Sequence, residues 1–385
     1  MPHYKSSIQS KLPAVNTSIF SVMSALSAEH HAINLSQGFP GFDCDPELKE
    51  LVSRAMNLGN NQYAPMPGLT ILREAIAEKT QELYGATYHP ETEITITAGA
   101  TQAIFTAISA LIKEGEEVIV IEPAYDCYVP AIELAGGKPV FFQLQQDDFS
   151  INWTEFMKLV NPRTRMIILN SPHNPTGAAL GEADIVQLEK LTKNTDIILL
   201  SDEVYEHILF DGRKHFSMSR FPALAERSLI VSSFGKTYHT TGWKLGYCLG
   251  PANLMKEFRK VHQFLVFSVN TPIQFAYAEF LRKKEAYLGL SEFYQQKRDF
   301  FNRLFQGSRF SIRPSAGTYF QLLGYSAISQ EADVDFARRL TIEHGVASIP
   351  VSVFYHKKKD SRLLRFCFAK SEEELEKAAE KLIVL

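Results

Sequence analysis

The sequence holds little that would staple it, carry it across a bilayer or fasten it to a polyanion. Its 385 residues include only four cysteines, Cys44, Cys127, Cys248 and Cys367. They are widely spread, with no C-x-x-C pair and no other zinc-ligand spacing, so neither a disulfide framework nor a zinc site is expected and the thiols read as reduced and intracellular. Lysine and arginine number 40 against 43 aspartates and glutamates, a formal charge of −3. That balance lacks the positive field that nucleic acid or an anionic membrane requires, which leaves small-molecule partners. No unbroken apolar run is long enough to span a bilayer. The stretch Ser18–Leu26, preceded by Lys5 and Lys11, loosely imitates a signal peptide. Serines interrupt it, however, and Ile19, Met23 and Leu26 fall at the spacing of a short helix laid on a core. A cytoplasmic location is the expectation. Repeats, low-complexity tracts and long charge runs are also missing, so linkers should be short.

What is present suits an enzyme of two packed domains. From about Glu93, short apolar runs alternate with longer helical patterns, the signature of a mostly parallel sheet with crossover helices. Ile94–Thr97, Val118–Ile121, Val140–Phe142, Met166–Leu169, Ile197–Leu200, Ser228–Val231 and Leu245–Cys248 read as strands, and Ala100–Lys113 as a helix. Several strands are apolar on both faces, as burial between two helical layers demands. From about Asn253 to Leu304 the periodicity is helical, with a long, weakly interrupted stretch from Thr271 to Arg303. Strands near Thr318–Leu322 and Leu363–Phe368, with helices near Val334–Glu343 and Glu372–Lys381, then predict a smaller α+β unit.

Ligands of α/β sheets sit beyond the carboxyl ends of the strands. There the chain delivers Asn170-Ser171-Pro172-His173-Asn174-Pro175-Thr176-Gly177, Ser201-Asp202-Glu203-Val204-Tyr205 and Ser233-Phe234-Gly235-Lys236-Thr237. With Gly242-Trp243-Lys244-Leu245-Gly246, these runs resemble, in order and spacing, the motifs of the fold-type-I pyridoxal-phosphate aminotransferases of the class I/II group. The resemblance extends from Asn34-Leu35-Ser36-Gln37-Gly38-Phe39-Pro40 through Arg365. It is nearest to the branch holding bacterial methionine aminotransferases and the kynurenine aminotransferases that double as cysteine-conjugate β-lyases. It implies a large domain at 46–275 with a seven-stranded, mostly parallel sheet covered by helices. A smaller α+β domain would occupy 276–385, and residues 1–45 would form an N-terminal arm and part of that small domain.

The resemblance also assigns roles. Lys236 would carry pyridoxal 5′-phosphate as an aldimine and shuttle the substrate proton, which requires an amine of lowered pKa. Asp202 would keep the pyridine nitrogen protonated, and Asn174 and Tyr205 would donate to the ring oxygen. Gly99, Ala100 and Thr101 lie where a strand meets a helix N-terminus, an anion site that Ser233 and Lys244 would complete for the phosphate. Tyr125 would lie over the ring. Arg365 would grip the substrate carboxylate bidentately, with Gly38 meeting the same group. Tyr63 would reach the neighbouring subunit's phosphate, which implies a homodimer with shared sites. Histidines 173, 207, 239 and 262 show no metal-ligand pattern, and no metal is expected.

The implied reaction is ping-pong transamination between an amino acid and a 2-oxo acid. No second arginine is assigned to a side-chain carboxylate, and Phe20, Phe39, Tyr125 and Phe354 give the presumed rim an apolar, aromatic character. Methionine is therefore the first expectation, with phenylalanine, tyrosine, histidine and kynurenine as companions. β-Elimination from cysteine S-conjugates, releasing pyruvate and ammonia, is the alternative. Ser233-Phe234-Gly235-Lys236 also satisfies the S-x-x-K pattern of serine acyl-enzymes, but its companion S-D-N and K-T-G triplets are missing. A pyridoxal-dependent regulator joined to a DNA-binding module is not expected, because the resemblance begins near the N-terminus.

Overall fold

The computed structural model describes residues 7–385, so Lys5 lies outside them. In chain order the strands are β1 Ile33–Asn34, β2 Ile94–Thr97, β3 Glu117–Glu122, β4 Lys138–Gln143, β5 Thr164–Asn170, β6 Ile198–Asp202 and β7 Ser228–Ser233. They continue with β8 Gly246–Leu249, β9 Ser311–Ile312, β10 Phe320–Gly324, β11 Val346–Ala347, β12 Ile349–Pro350 and β13 Leu363–Cys367. Seven of them form one sheet in the order β2-β8-β7-β6-β5-β3-β4. β3 to β7 run parallel, and β8 is antiparallel to both its neighbours.

Alternation along these strands divides the interior into two cores. Val118, Val120, Met166, Ile168, Leu200, Leu229 and Val231 point to one side, against Ala103, Ile104 and Ala107 of the helix Ala100–Leu111 and Met255 and Phe258 of the helix Ala252–Leu265. Ile119, Ile121, Ile167, Leu169, Leu199 and Ile230 point to the other, with Ile185 and Leu188 of the helix Glu182–Thr192. The doubly apolar runs are thus strands buried on both faces.

A second, four-stranded antiparallel sheet has the order β12-β13-β10-β9. β1 pairs in parallel with β11, which ties the N-terminal segment to the C-terminal part of the chain. Two expectations shift. The stretch from Thr271 to Arg303 is three helices, Thr271–Phe280, Glu285–Leu288 and Leu290–Leu304. It is broken at the cation-rich Arg282-Lys283-Lys284 and at Gly289, whose added Cβ would press on Glu285 O at 3.2 Å. The strand expected at Thr318 starts at Phe320, because Thr318 has a φ of +65° and turns the chain into the strand.

Candidate active site

The parallel register sets the strand ends side by side, Asn170 opposite Asp202 and Asp202 opposite Val231, two residues before Ser233. A cavity of about 140 Å³ opens there. Gly99, Ala100, Thr101, Tyr125, Asn174, Asp202, Tyr205, Ser233, Lys236 and Lys244 all line it, so the structure brings ten of the expected residues together. Phe234–Thr237 makes a single helical turn rather than open loop, which swings Lys236 into the cavity.

Lys236 keeps some surface on the cavity, while burial of its amine pulls the pKa down to about 8. Its Nζ donates to Gly38 O at 2.8 Å and to the Tyr319 hydroxyl at 2.9 Å. Asp202 is buried, and desolvation raises its pKa to about 6 against the pull of Tyr128, whose hydroxyl donates to Oδ2 at 2.6 Å. Asn170 braces this edge, its Nδ2 donating to Asp202 O at 3.0 Å while its Oδ1 accepts from Asn174 N at 2.8 Å.

At the opposite end of Asn174, Arg365 is almost wholly buried in β13. Its Nη1 donates to Asn174 Oδ1 at 2.8 Å and its Nη2 to Ser36 O at 3.0 Å, while Nε has no partner. Three rings enclose the guanidinium, Phe320 at 3.9 Å, Phe20 at 5.2 Å and Phe354 at 5.5 Å. Among the described residues no carboxylate forms an ion pair with it. Gly38 reaches the site through its carbonyl on Lys236. Tyr63 does not: it is 80% exposed and meets Phe267 edge-on at 5.2 Å.

Four residues at the site were not singled out in the sequence: Tyr128, Asn170, Thr241 and Tyr319. Asn170 and Tyr319 stand inside quoted runs, but only packing shows that their side chains reach Asp202 and Lys236. Of the histidines, His173 is buried, bonded to Thr176 Oγ1 at 2.8 Å and desolvated to a pKa of about 4. Histidines 207, 239 and 262 lie outside the cavity lining.

The residues fit pyridoxal phosphate on charge and shape. A buried carboxylate, an enclosed amine and a buried guanidinium converge with no ion pair formed by any of them among the described residues, which suits a protonated ring nitrogen, an aldehyde and a carboxylate. The helix Ala100–Leu111 begins at Gly99, at a φ of +80°, and no side chain caps its first turn. A Cβ at Gly99 would stand 3.5 Å from Lys244 Nζ, inside the cup that a phosphate needs.

Fold and site define a pyridoxal-phosphate-dependent aminotransferase: the profile of the family "Aminotransferase class I and II" matches residues 30–382, and the chain belongs to that family. Its substrates are amino acids and 2-oxo acids. Among its relatives, the methionine aminotransferase of Escherichia coli is 52% identical over 375 residues, covering 97% of each chain. A crystal structure of an E. coli protein assigned methionine aminotransferase function superposes with a TM-score of 0.96 at 51% identity, covering 98% of this chain and all of that one. The kynurenine–oxoglutarate transaminase of Dictyostelium discoideum is 34% identical, with 96% of this chain and 94% of that protein covered. The N-succinyldiaminopimelate aminotransferase structure from Mycobacterium tuberculosis matches at a TM-score of 0.94 and 36% identity, covering 98% of this chain and 100% of that chain.

Proposed function

We propose that the protein transfers the amino group of apolar and aromatic amino acids, methionine foremost, to a 2-oxo acid. Phenylalanine, tyrosine, histidine and kynurenine are further donors. The observation that carries this reading is Arg365, a buried guanidinium with an unused Nε, no anion of its own and three phenyl rings around it. Among the described residues the only cations lining the cavity are Lys236 and Lys244. Both face the cofactor, while the side chains around Arg365 are the phenyl rings of Phe20, Phe320 and Phe354. Apolar contacts discriminate weakly, about 1–3 kcal/mol per methylene, so several donors are accepted. The names of the E. coli and D. discoideum relatives carry two of these donors, methionine and kynurenine.

The cofactor supplies an electron sink for the pair left when the substrate Cα loses its proton. Asp202 Oδ would keep the ring nitrogen protonated, and the Tyr128 hydroxyl, donating to it, favours the ionised carboxylate. Asn174 and Tyr205 would donate to the ring oxygen, and Tyr125 would pack against the ring. Ser233, Lys244 and the N–H groups of Ala100 and Thr101 would bind the phosphate. Arg365 and the Gly38 backbone would hold the α-carboxylate. Lys236 Nζ, an amine of lowered pKa, would take the proton from the substrate Cα and deliver it across the amino nitrogen to the cofactor carbon that Lys236 itself had held.

The same reading divides the chain into an arm at 1–45, a cofactor domain at 46–275 and a small domain at 276–385, a division supported by the two separate sheets and by the β1–β11 pair. It makes the enzyme a cytoplasmic homodimer acting without nucleic acid or membrane. The four free cysteines suit a reducing compartment. Among the described residues no helix is long and apolar enough to cross a membrane. Tyr63, Phe264 and Phe267, exposed by 80%, 86% and 55%, form the apolar face that a second copy would cover, bringing Tyr63 to the partner's phosphate. A donor panel tests the substrate reading: kcat/KM for methionine should exceed that for aspartate, and equal or better activity with aspartate would sink it.

A further inference from the structure

We propose that Tyr319 is a positioning residue of the reaction, its hydroxyl forming with the carbonyl of Gly38 a fixed seat for the free amine of Lys236. The inference rests on the aminotransferase reading and adds a residue that none of the four motifs contains. Lys236 Nζ donates to Tyr319 Oη at 2.9 Å and to Gly38 O at 2.8 Å, and the Tyr319 hydroxyl donates to the same carbonyl at 2.7 Å. The triangle fixes every role. The single hydroxyl hydrogen goes to Gly38 O, so the phenolic oxygen meets the amine as an acceptor.

The seat is rigid. Tyr319 is fully buried, with ring centroids of Phe320 at 5.0 Å, Tyr205 at 5.2 Å and Tyr294 at 5.6 Å. It stands just before β10, positioned by the left-handed turn at Thr318. To act as a base, Lys236 has to hold its amine free. A seat one hydrogen bond away determines where the free amine waits, and small displacements there are costly to rate.

Two acceptors also favour the ammonium over the amine. Several other groups bear on Lys236: burial lowers its pKa most, Arg365 and Lys244 lower it further, and Cys367 and Asp202 raise it. The groups facing Tyr319 are Tyr205, Tyr294 and Cys367, and burial keeps its phenol protonated, so its oxygen stays available as an acceptor.

The test uses the full chain without cofactor. Competitive acetylation across a pH series, read by mass spectrometry on the peptide carrying Lys236, gives the titration midpoint of that amine. Tyr319→Phe keeps the ring and deletes the acceptor. Loss of an acceptor destabilises the ammonium, so the midpoint should fall by about one pH unit, a tenfold change. A role in packing alone would leave it in place, and an unmoved midpoint overturns the proposal. Should that variant not fold, 3-fluorotyrosine at position 319 keeps the shape and weakens the oxygen as acceptor. It must move the midpoint the same way, and failure to do so overturns the proposal equally. The two readings fail separately. Wild-type protein that pyridoxal phosphate and borohydride do not label at Lys236 sinks the aminotransferase reading, whereas labelled protein with an unmoved midpoint sinks only the seat.

Discussion

Lys236, Asp202 and Arg365 share a situation: each is enclosed, and among the described residues none forms an ion pair. Desolvation is therefore the largest influence on their protonation, and on the proposed reading cofactor and substrate would supply the missing partners. Replacing Lys236 with alanine should drop turnover by several orders of magnitude while circular dichroism stays native. Uptake of pyridoxal phosphate needs the unprotonated amine. Because burial lowers its pKa, the association rate should climb with pH through a midpoint near pH 8, well below the ordinary lysine range. A midpoint near 10 in stopped-flow uptake would contradict this. Tyr128→Phe removes a hydrogen bond that stabilises the ionised Asp202, so the carboxyl pKa should rise above about 6. Cofactor affinity should then weaken about tenfold or more, measurable by equilibrium dialysis. At this scale the sequence was informative where a residue sits in a motif and silent where it acts across the fold. Lys236, Asp202, Asn174 and Arg365 could be read from their runs. Tyr128 and Tyr319 could not, since a tyrosine on a helix or beside a strand is ordinary until its hydroxyl is seen 2.6 Å from Asp202 or 2.9 Å from Lys236.

Among the elements, two glycines beside the site meet close neighbours. Gly246 opens β8 where an added Cβ would stand 2.6 Å from Ser232 O and 3.1 Å from Ala100 N, pressing on the β7 ladder and on the helix N-terminus together. Gly246→Ala should therefore lower both the melting temperature and cofactor affinity; loss of one without the other would separate the two effects. Gly38 is subtler. A Cβ there would lie 3.0 Å from Phe320 Cζ, and Phe320 stacks on Arg365 at 3.9 Å. Gly38→Ala should raise KM for methionine about tenfold, with kcat less affected, in steady-state kinetics. The strands of the large sheet were legible because two-sided burial leaves long apolar, β-branched runs. The single helical turn at Phe234–Thr237 and the breaks between Thr271 and Leu304 were not, because each follows from a few residues answering to tertiary packing rather than to a period.

Across the whole molecule, the cofactor cup is open on one side in a single chain: Thr101 and Lys244, which line it, are exposed. In the proposed homodimer a second copy would meet the chain at the exposed Tyr63, Phe264 and Phe267. Sedimentation should find a dimer, and Tyr63→Ala should weaken cofactor retention without unfolding the chain; a fully active monomer would contradict shared sites. The order of the sheet could not be read from local patterns, since the place of β8 between β2 and β7 depends on pairings far apart in sequence. The central claim, amino-group transfer by Lys236 from an apolar amino acid held by Arg365, is most directly tested by adding methionine to the purified holoenzyme with no 2-oxo acid present, then repeating with a cysteine S-conjugate. The account predicts one equivalent of 2-oxo acid per site from methionine, a halt, and resumption when a second 2-oxo acid is supplied. No oxo acid from methionine, together with sustained pyruvate and ammonia from the conjugate, would contradict it and make elimination the main reaction.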